Sequence, residues 1–279
     1  MLNNEIIKKI EDFVYSKPRS IQEIAMHVGK NWRTADRYVS EIEKSYGTLA
    51  TRIFRGGTRG ALKIVFWSSV EKINSSIFQE ILESDILSAK RKEDFSAFDI
   101  FQHVSEKNKQ VKVKTEKSEE IAGFLNVKNI LEKAENKLLI FSGNLSFINL
   151  TQKNERIIDI IDKLLKKGIT IKILCRVDIL GKKNIENILE LNYKYGKELI
   201  EIRHREHPLR ATIVDNTFFV IKEIKEPTGK INELDKKIFI FYNIKDKDWV
   251  EWLSRIFWKI FSSSVSAKKR LFELEKLKQ

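Results

Sequence analysis

Between Ala50 and Trp67 every ionisable side chain is a cation: Arg52, Arg55, Arg59 and Lys63, with no Asp or Glu among them. Upstream, Arg33 and Arg37 are four residues apart, the spacing that puts two side chains on one helix face. Guanidinium groups donate to guanine edges and phosphate oxygens, and unopposed cations beside a helix suit a phosphate backbone. The chemistry on offer is recognition of a polyanion, with double-stranded DNA the first candidate.

Those cations need a scaffold. Ser20-Ile21-Gln22-Glu23 has the Ser-x-x-Glu spacing in which side chain and backbone satisfy each other's orphan donors at a helix start. Ile24, Ala25 and Val28 continue that short helix, and Gly29 ends it. Asn31 then caps a second helix on which Ala35, Tyr38, Val39 and Ile42 share one face, while Arg33, Asp36, Arg37 and Ser40 share the opposite one. Asn31 and Thr34 sit at the end that enters a groove, and Trp32 reads as a packing residue. Leu49 to Phe54 and Ala61 to Trp67 are strand-like runs joined by Gly56-Gly57-Thr58-Arg59-Gly60, a loop suited to positive φ. The predicted DNA contacts are Asn31, Arg33, Thr34, Arg37, Ser40, Arg55, Thr58, Arg59 and Lys63. A solvated charged helix is the plain alternative for either arginine alone; the turn, second helix and basic hairpin favour DNA together. The segment resembles the winged helix-turn-helix domains of archaeal and bacterial transcription regulators.

Composition agrees. The chain has 279 residues and a formal charge of +13, enough for two domains with a connector and for a polyanionic partner. The lone Cys175 lies in an apolar run and reads as a buried small residue in a reducing cytoplasm. No Cys and His cluster has zinc-site spacing, so neither metal nor cofactor is expected. The apolar runs are too short to cross a bilayer, so a cytoplasmic protein without membrane partners is expected.

Residues 1–69 form the predicted DNA-binding unit, 70–118 a connector and 119–279 a third unit. In the connector, Ile73, Ile77, Ile81, Leu82, Ile86 and Leu87 have helical spacing, and the helix is favoured as a dimerisation element over simple packing on the first unit. Phe95, Phe98 and Phe101 read as a buried helical edge. Lys107 to Glu120 is nearly all polar and predicts an exposed linker or extended arm.

From Ile121 onward helical and strand-like segments alternate, predicting an α/β sheet. Helices are expected at 121–136, 154–167, 184–195 and 246–262, the last with a stripe of Trp249, Trp252, Leu253, Ile256, Phe257 and Ile260 facing the sheet. Trp258 points away from that stripe, towards a second contact surface or lateral packing. Strands are expected at 137–142, 169–176, 199–204, 211–214, 218–224 and 238–242. Arg210-Ala211-Thr212-Ile213-Val214-Asp215 resembles a worn copy of the phospholipase D superfamily motif, His-x-Lys-x-x-x-x-Asp. With Asp215 at the motif's Asp, Arg210 takes the Lys position and Pro208 the His position. His207 is one residue away, a register that puts Leu209 where the Lys belongs.

That superfamily needs one His for a covalent phosphoryl adduct and a second as leaving-group acid. The resemblance therefore implies its fold without its chemistry, with no catalytic residue and with Arg210 and Asp215 surviving as an internal ion pair. A winged helix, a connector and a phospholipase D-like domain without its His resemble the archaeal TrmB family of transcription regulators. That likeness implies a dimer on DNA and a C-terminal sensor of a small-molecule effector. The alternative is a phosphodiesterase or nuclease targeted to DNA by its winged helix. Ligands in open α/β sheets sit beyond the carboxyl ends of strands, which selects Ser142, Asn144, Arg176 and His204 as effector candidates beside Arg210 and Asp215. Each also has a plain reading: a turn at Ser142 to Asn144, a surface pair of Arg176 with Asp178, and a solvated His204.

Overall fold

A computed structural model describes residues 3–55, 61–68, 75–115, 127–227 and 236–276. An unanticipated helix comes first: Asn3 accepts from the Glu5 N–H at 3.1 Å, and α1 (Asn4–Ser16) buries Ile7, Ile10 and Val14. After β1 (Arg19–Ser20) the capping box forms as its spacing requires, with the Ser20 N–H donating to Glu23 at 2.7 Å and the Glu23 N–H to Ser20 at 3.2 Å. The short α2 (Ile21–Val28) ends at Gly29, whose φ of 67° is a conformation glycine adopts without a Cβ clash. Next come α3 (Trp32–Ser45), β2 (Leu49–Arg55) and β3 (Ala61–Trp67), and the strands form an antiparallel sheet ordered β1-β3-β2. Ala35, Val39 and Ile42 of α3 are buried against α1, α2 and that sheet.

The middle of the chain contributes α4 (Ser75–Ser88), α5 (Ala97–His103) and β4 (Lys109–Thr115). The remainder runs α6 (Val127–Leu131), β5 (Lys137–Phe141), β6 (Thr151–Gln152), β7 (Glu155–Arg156), α7 (Ile157–Lys166), β8 (Thr170–Cys175), α8 (Lys182–Tyr195), β9 (Ile200–His204), β10 (Ala211–Val214), β11 (Phe218–Lys225), β12 (Ile238–Ile244), α9 (Lys247–Ser262), β13 (Val265–Ser266) and α10 (Ala267–Lys276). Its eight-stranded sheet is ordered β13-β9-β8-β5-β10-β11-β12-β4, with β5, β8 and β9 parallel and the other pairs antiparallel. The α/β expectation is met by a mixed sheet. Of the helix expected over 121–136, residues 121–126 lie outside the described residues and α6 is its only helical turn described.

One expectation is corrected outright. Residues 109–115 are not an exposed arm: β4 pairs with β12 along its length, from Lys109↔Ile244 to Thr115↔Ile238. Val111 and Val113 alternate with Gln110, Lys112 and Lys114, a period of two that packs one face and leaves lysines on a sheet edge.

The connector is also more than a spacer. Phe98 and Phe101 of α5 are buried between the β2–β3 hairpin and the large sheet, with Phe54 at 6.0 Å from Phe98 and 6.3 Å from Tyr242 between ring centroids. Phe54, Leu62 and Ile64 therefore share one hydrophobic core with β10, β11, β12 and α9. On α4, Leu82 and Ile86 are buried, and the Trp252 indole N–H of α9 donates to the Gln79 carbonyl at 3.1 Å. Ile77 and Ile81 of α4 stay exposed. The aromatic stripe of α9 is buried as expected, and Trp258 packs laterally, edge-on to Phe257 and Phe261. Among the described residues no helix is long and apolar enough to cross a membrane, and no group of three or more His, Cys, Asp or Glu is placed to hold a metal.

Candidate functional site

The exposed face of α3 carries the first group of candidates. Asn31 caps the helix, its Oδ1 accepting from the Thr34 N–H at 2.9 Å. Arg33 and Arg37 are exposed one turn apart, each guanidinium 5.6 Å from the ring of its neighbour, Trp32 or Tyr38. Neither forms an ion pair among the described residues. Thr34 and Ser40 are half-buried on the flanks.

The hairpin departs from expectation. Lys63 is not an open phosphate contact: its ammonium lies 2.7 Å from the Asp36 carboxylate of α3, and its side chain is 19% exposed. Arg52 makes a two-pronged bond to Glu106, 3.1 and 3.2 Å, and Lys109 reaches the same carboxylate at 3.1 Å. The Arg52 hydrogen bond is the main reason that the Glu106 carboxyl is pulled down to about 2. A count restricted to residues 50–67 shows no acid because both acids come from outside it. Thr58, Arg59 and the side chain of Arg55 lie outside the described residues.

At the carboxyl ends of β5, β8 and β9 the second group divides. Ser142 is buried and its hydroxyl accepts from the Leu145 N–H at 3.3 Å, while Asn144 accepts from the Ser146 N–H at 3.3 Å, so both serve the turn. Arg176 pairs with Asp178 at 2.7 Å. His204 is half-buried, its Nδ1 accepting from the Val177 N–H at 2.9 Å; burial lowers its pKa, favouring the neutral ring.

The expected Arg210–Asp215 ion pair does not exist. The two residues cap opposite ends of β10, and a four-residue strand between them spans about 13 Å. Asp215 accepts from the backbone N–H groups of Glu135, Asn136 and Lys137 at 2.6, 2.9 and 2.7 Å, pinning the entry to β5. Asp215 and Asn216 both take positive φ, 48° and 57°, in the turn to β11, a conformation Asp and Asn tolerate. Arg210 instead donates to the Leu209 carbonyl at 2.7 Å and lies against Gly143, where a Cβ would come within 2.9 Å of its Nη2. Only a glycine leaves that guanidinium its place.

His207, the one histidine near the worn motif, is 4% exposed. Its Nε2 contacts the Leu174 carbonyl at 3.1 Å, which makes that nitrogen the donor, and Phe141 stands edge-on at 5.3 Å. Burial, with Arg210 nearby, pushes its pKa down to about 4. The ring is thus neutral and buried, with Nε2 on the Leu174 carbonyl and Nδ1 buried without a hydrogen-bond partner.

Sequence reading missed a buried polar joint. Lys225 at the end of β11 reaches Glu23 of α2 at 3.0 Å and Glu223 at 3.1 Å, Glu223 accepts from Ser96 at 3.1 Å, and Tyr242 donates to Glu223 at 3.4 Å. The run Lys222-Glu223-Ile224-Lys225 carries no signal for it, because alternating charge at a strand end reads as a solvated edge.

The sequence matches no family model and no curated protein. Among solved structures, the chain is similar to an archaeal chromatin protein, TrmBL2, described with a novel mode of DNA binding: 18% identity over 95% of this chain and 94% of that one, TM-score 0.39. It is also similar to Nuc, a phospholipase D family member from Salmonella typhimurium, at 13% identity over 57% of this chain and 97% of that one, TM-score 0.38. NucT from Helicobacter pylori gives 12% identity over 57% and 99%, TM-score 0.38. Likenesses this distant assign no role to any residue.

Proposed function

We propose that this chain is a sequence-specific DNA-binding transcription regulator with a TrmB-like layout: a winged helix-turn-helix over residues 1–69, a connector over 70–118 and a non-catalytic, phospholipase D-like sensing unit over 119–279. The observation that carries the reading is the exposed couple Arg33 and Arg37, without an ion pair among the described residues, on the face of α3 opposite its buried Ala35, Val39 and Ile42. An exposed helix beginning at a capped turn, with arginines one turn apart, is the geometry that reads a major groove. The net charge of +13 supplies attraction for the phosphate backbone. The burial of His207, 4% exposed, supports a non-enzymatic reading of the C-terminal unit.

The regulator acts as a cytoplasmic homodimer, each α3 taking one half-site at a spacing of about 34–36 Å or a multiple. Footprinting on genomic fragments tests the reading: discrete protected sites are expected, and weak binding indifferent to sequence would sink it. Metal-free cleavage of a phosphodiester by the purified chain, abolished by His207→Ala, would restore the nuclease reading.

A further inference from the structure

Stepping along α3 from Arg33 by 4, 3 and 4 residues reaches Arg37, Ser40 and Lys44, the stripe opposite the buried Ala35, Val39 and Ile42. Arg33, Arg37 and Lys44 are exposed and Ser40 is half-buried. The stripe thus offers two guanidinium groups, an ammonium and a hydroxyl, and it contains no carboxylate. Acceptors beside it are few and mostly engaged. Asp36, on one flank, holds the Lys63 ammonium at 2.7 Å, and Asn31, at the helix start, spends its Oδ1 on the Thr34 N–H at 2.9 Å. Glu41, on the other flank, is half-buried.

Each base presents a different edge in the major groove. Adenine and cytosine show an amino donor and need an acceptor from the protein, whereas guanine shows N7 and O6, two acceptors that a guanidinium fork matches with two N–H groups. With its Oδ1 on the cap, Asn31 has no acceptor left for the paired contact that adenine requires. A hydroxyl donates or accepts and selects no base, and an ammonium is a point charge suited to phosphate. What remains on the stripe to choose a base is the pair of arginines, and both choose guanine.

Spacing limits where those guanines lie. Four residues of helix rise about 6 Å, less than two base-pair steps of about 3.4 Å. Each guanidinium lies 5.6 Å from an aromatic ring, Trp32 for Arg33 and Tyr38 for Arg37, within the range where a ring face attracts a cation and favours one position for it.

We propose that α3 reads two guanines lying within three consecutive base pairs, one through Arg33 and one through Arg37, by bidentate contacts to N7 and O6. The inference rests on the DNA-binding reading and adds to it the base that is read.

Selection of bound duplexes from a random pool by the full chain, followed by binding titrations on the enriched sequence, tests it. Two guanines within three base pairs are expected. Replacing either by 7-deazaguanine, which removes N7, should weaken binding by about tenfold, whereas inosine, altered only in the minor groove, should bind like guanine. Arg33→Lys and Arg37→Lys keep the charge and should each relax the preference at one guanine, because an ammonium lacks the fork. Glu41→Gln should leave both preferences unchanged, with circular dichroism confirming that each variant is folded. An enriched motif without the two guanines, or a loss on inosine and none on 7-deazaguanine, overturns this inference and leaves the DNA-binding reading standing. Unchanged preference in both lysine variants, or a different base chosen by Glu41→Gln, overturns it as well. No enriched sequence at all removes both readings together.

Discussion

Glu23 and Lys225, 202 positions apart in sequence, meet at 3.0 Å and fasten the first turn of α2 to the end of β11. The same carboxylate accepts from the Ser20 N–H at 2.7 Å, so one side chain both starts a helix and docks it. Desolvation opposes its ionisation, but Lys225 and the Ser20 bonds prevail and hold the Glu23 carboxyl below its usual range.

The two roles separate by substitution. Glu23→Gln keeps an acceptor for the cap and loses the charge, whereas Glu23→Ala loses both. Urea unfolding should show the Ala variant less stable than the Gln variant by about 1 kcal/mol, the worth of a cap. Identical midpoints would mean that the cap contributes nothing.

Asp36, between Arg33 and Arg37 on α3, holds Lys63 at 2.7 Å. Asp36→Asn should free Lys63, raise DNA affinity and steepen its logarithmic salt dependence by about one unit, the contribution of one more phosphate contact. Arg33→Ala and Arg37→Ala should instead flatten sequence preference. Binding titrations at several salt concentrations decide this, and an unchanged slope in Asp36→Asn would show that Lys63 does not reach DNA.

Acid should loosen the fold through His207. Its ring titrates at about 4 when folded, against 6.5 as the ordinary value, so the unfolded chain binds more protons between those limits. Stability is thus full above about pH 6.5 and falls as pH drops towards 4, by on the order of 3 kcal/mol in total for this group. His103, stacked on Phe78 at 3.9 Å and also pushed down to about 4 by burial, acts in the same direction. Denaturant midpoints measured from pH 7 to 4.5 should fall, and the fall should shrink in His207→Met. A slope identical in that variant would rule out the assignment.

Phe98 is fully buried beside Phe54, Phe66, Phe101 and Tyr242. Phe98→Ala should cost about 3–5 kcal/mol by leaving a cavity where hairpin, α5 and sheet meet. Amide exchange should then rise in β2–β3 and β12 together; loosening confined to the hairpin would argue against a shared core.

Cys175 is buried in β8, and burial pushes its thiol up to about 12. A thiol reagent should therefore label it only after unfolding. Rapid labelling of the native chain would contradict the burial.

Local signals in this chain are strong, and they were sufficient wherever one element decides its own structure. The Ser20–Glu23 box, the Asn31 cap, the buried stripe of α3 and the stripe of α9 form as their spacing predicts, since caps and periodicity act within one or two turns. Even the missed α1 has a readable pattern in Ile6, Ile7, Ile10, Phe13 and Val14. The polar run of β4 was harder, because an edge strand buries only one sparse face and its lysines dominate the composition.

What the sequence determined alone is therefore the elements α2, α3 and α9 and the outward placement of Arg33 and Arg37. Beyond the Arg176–Asp178 pair, charge partnership was decided only in three dimensions. Lys63 found Asp36 across 27 positions, Arg52 found Glu106 across 54, and Arg210 lost Asp215 across five because an extended strand holds them apart. An ion pair depends on distance in space, and short sequence separation guarantees proximity only where the backbone turns back on itself.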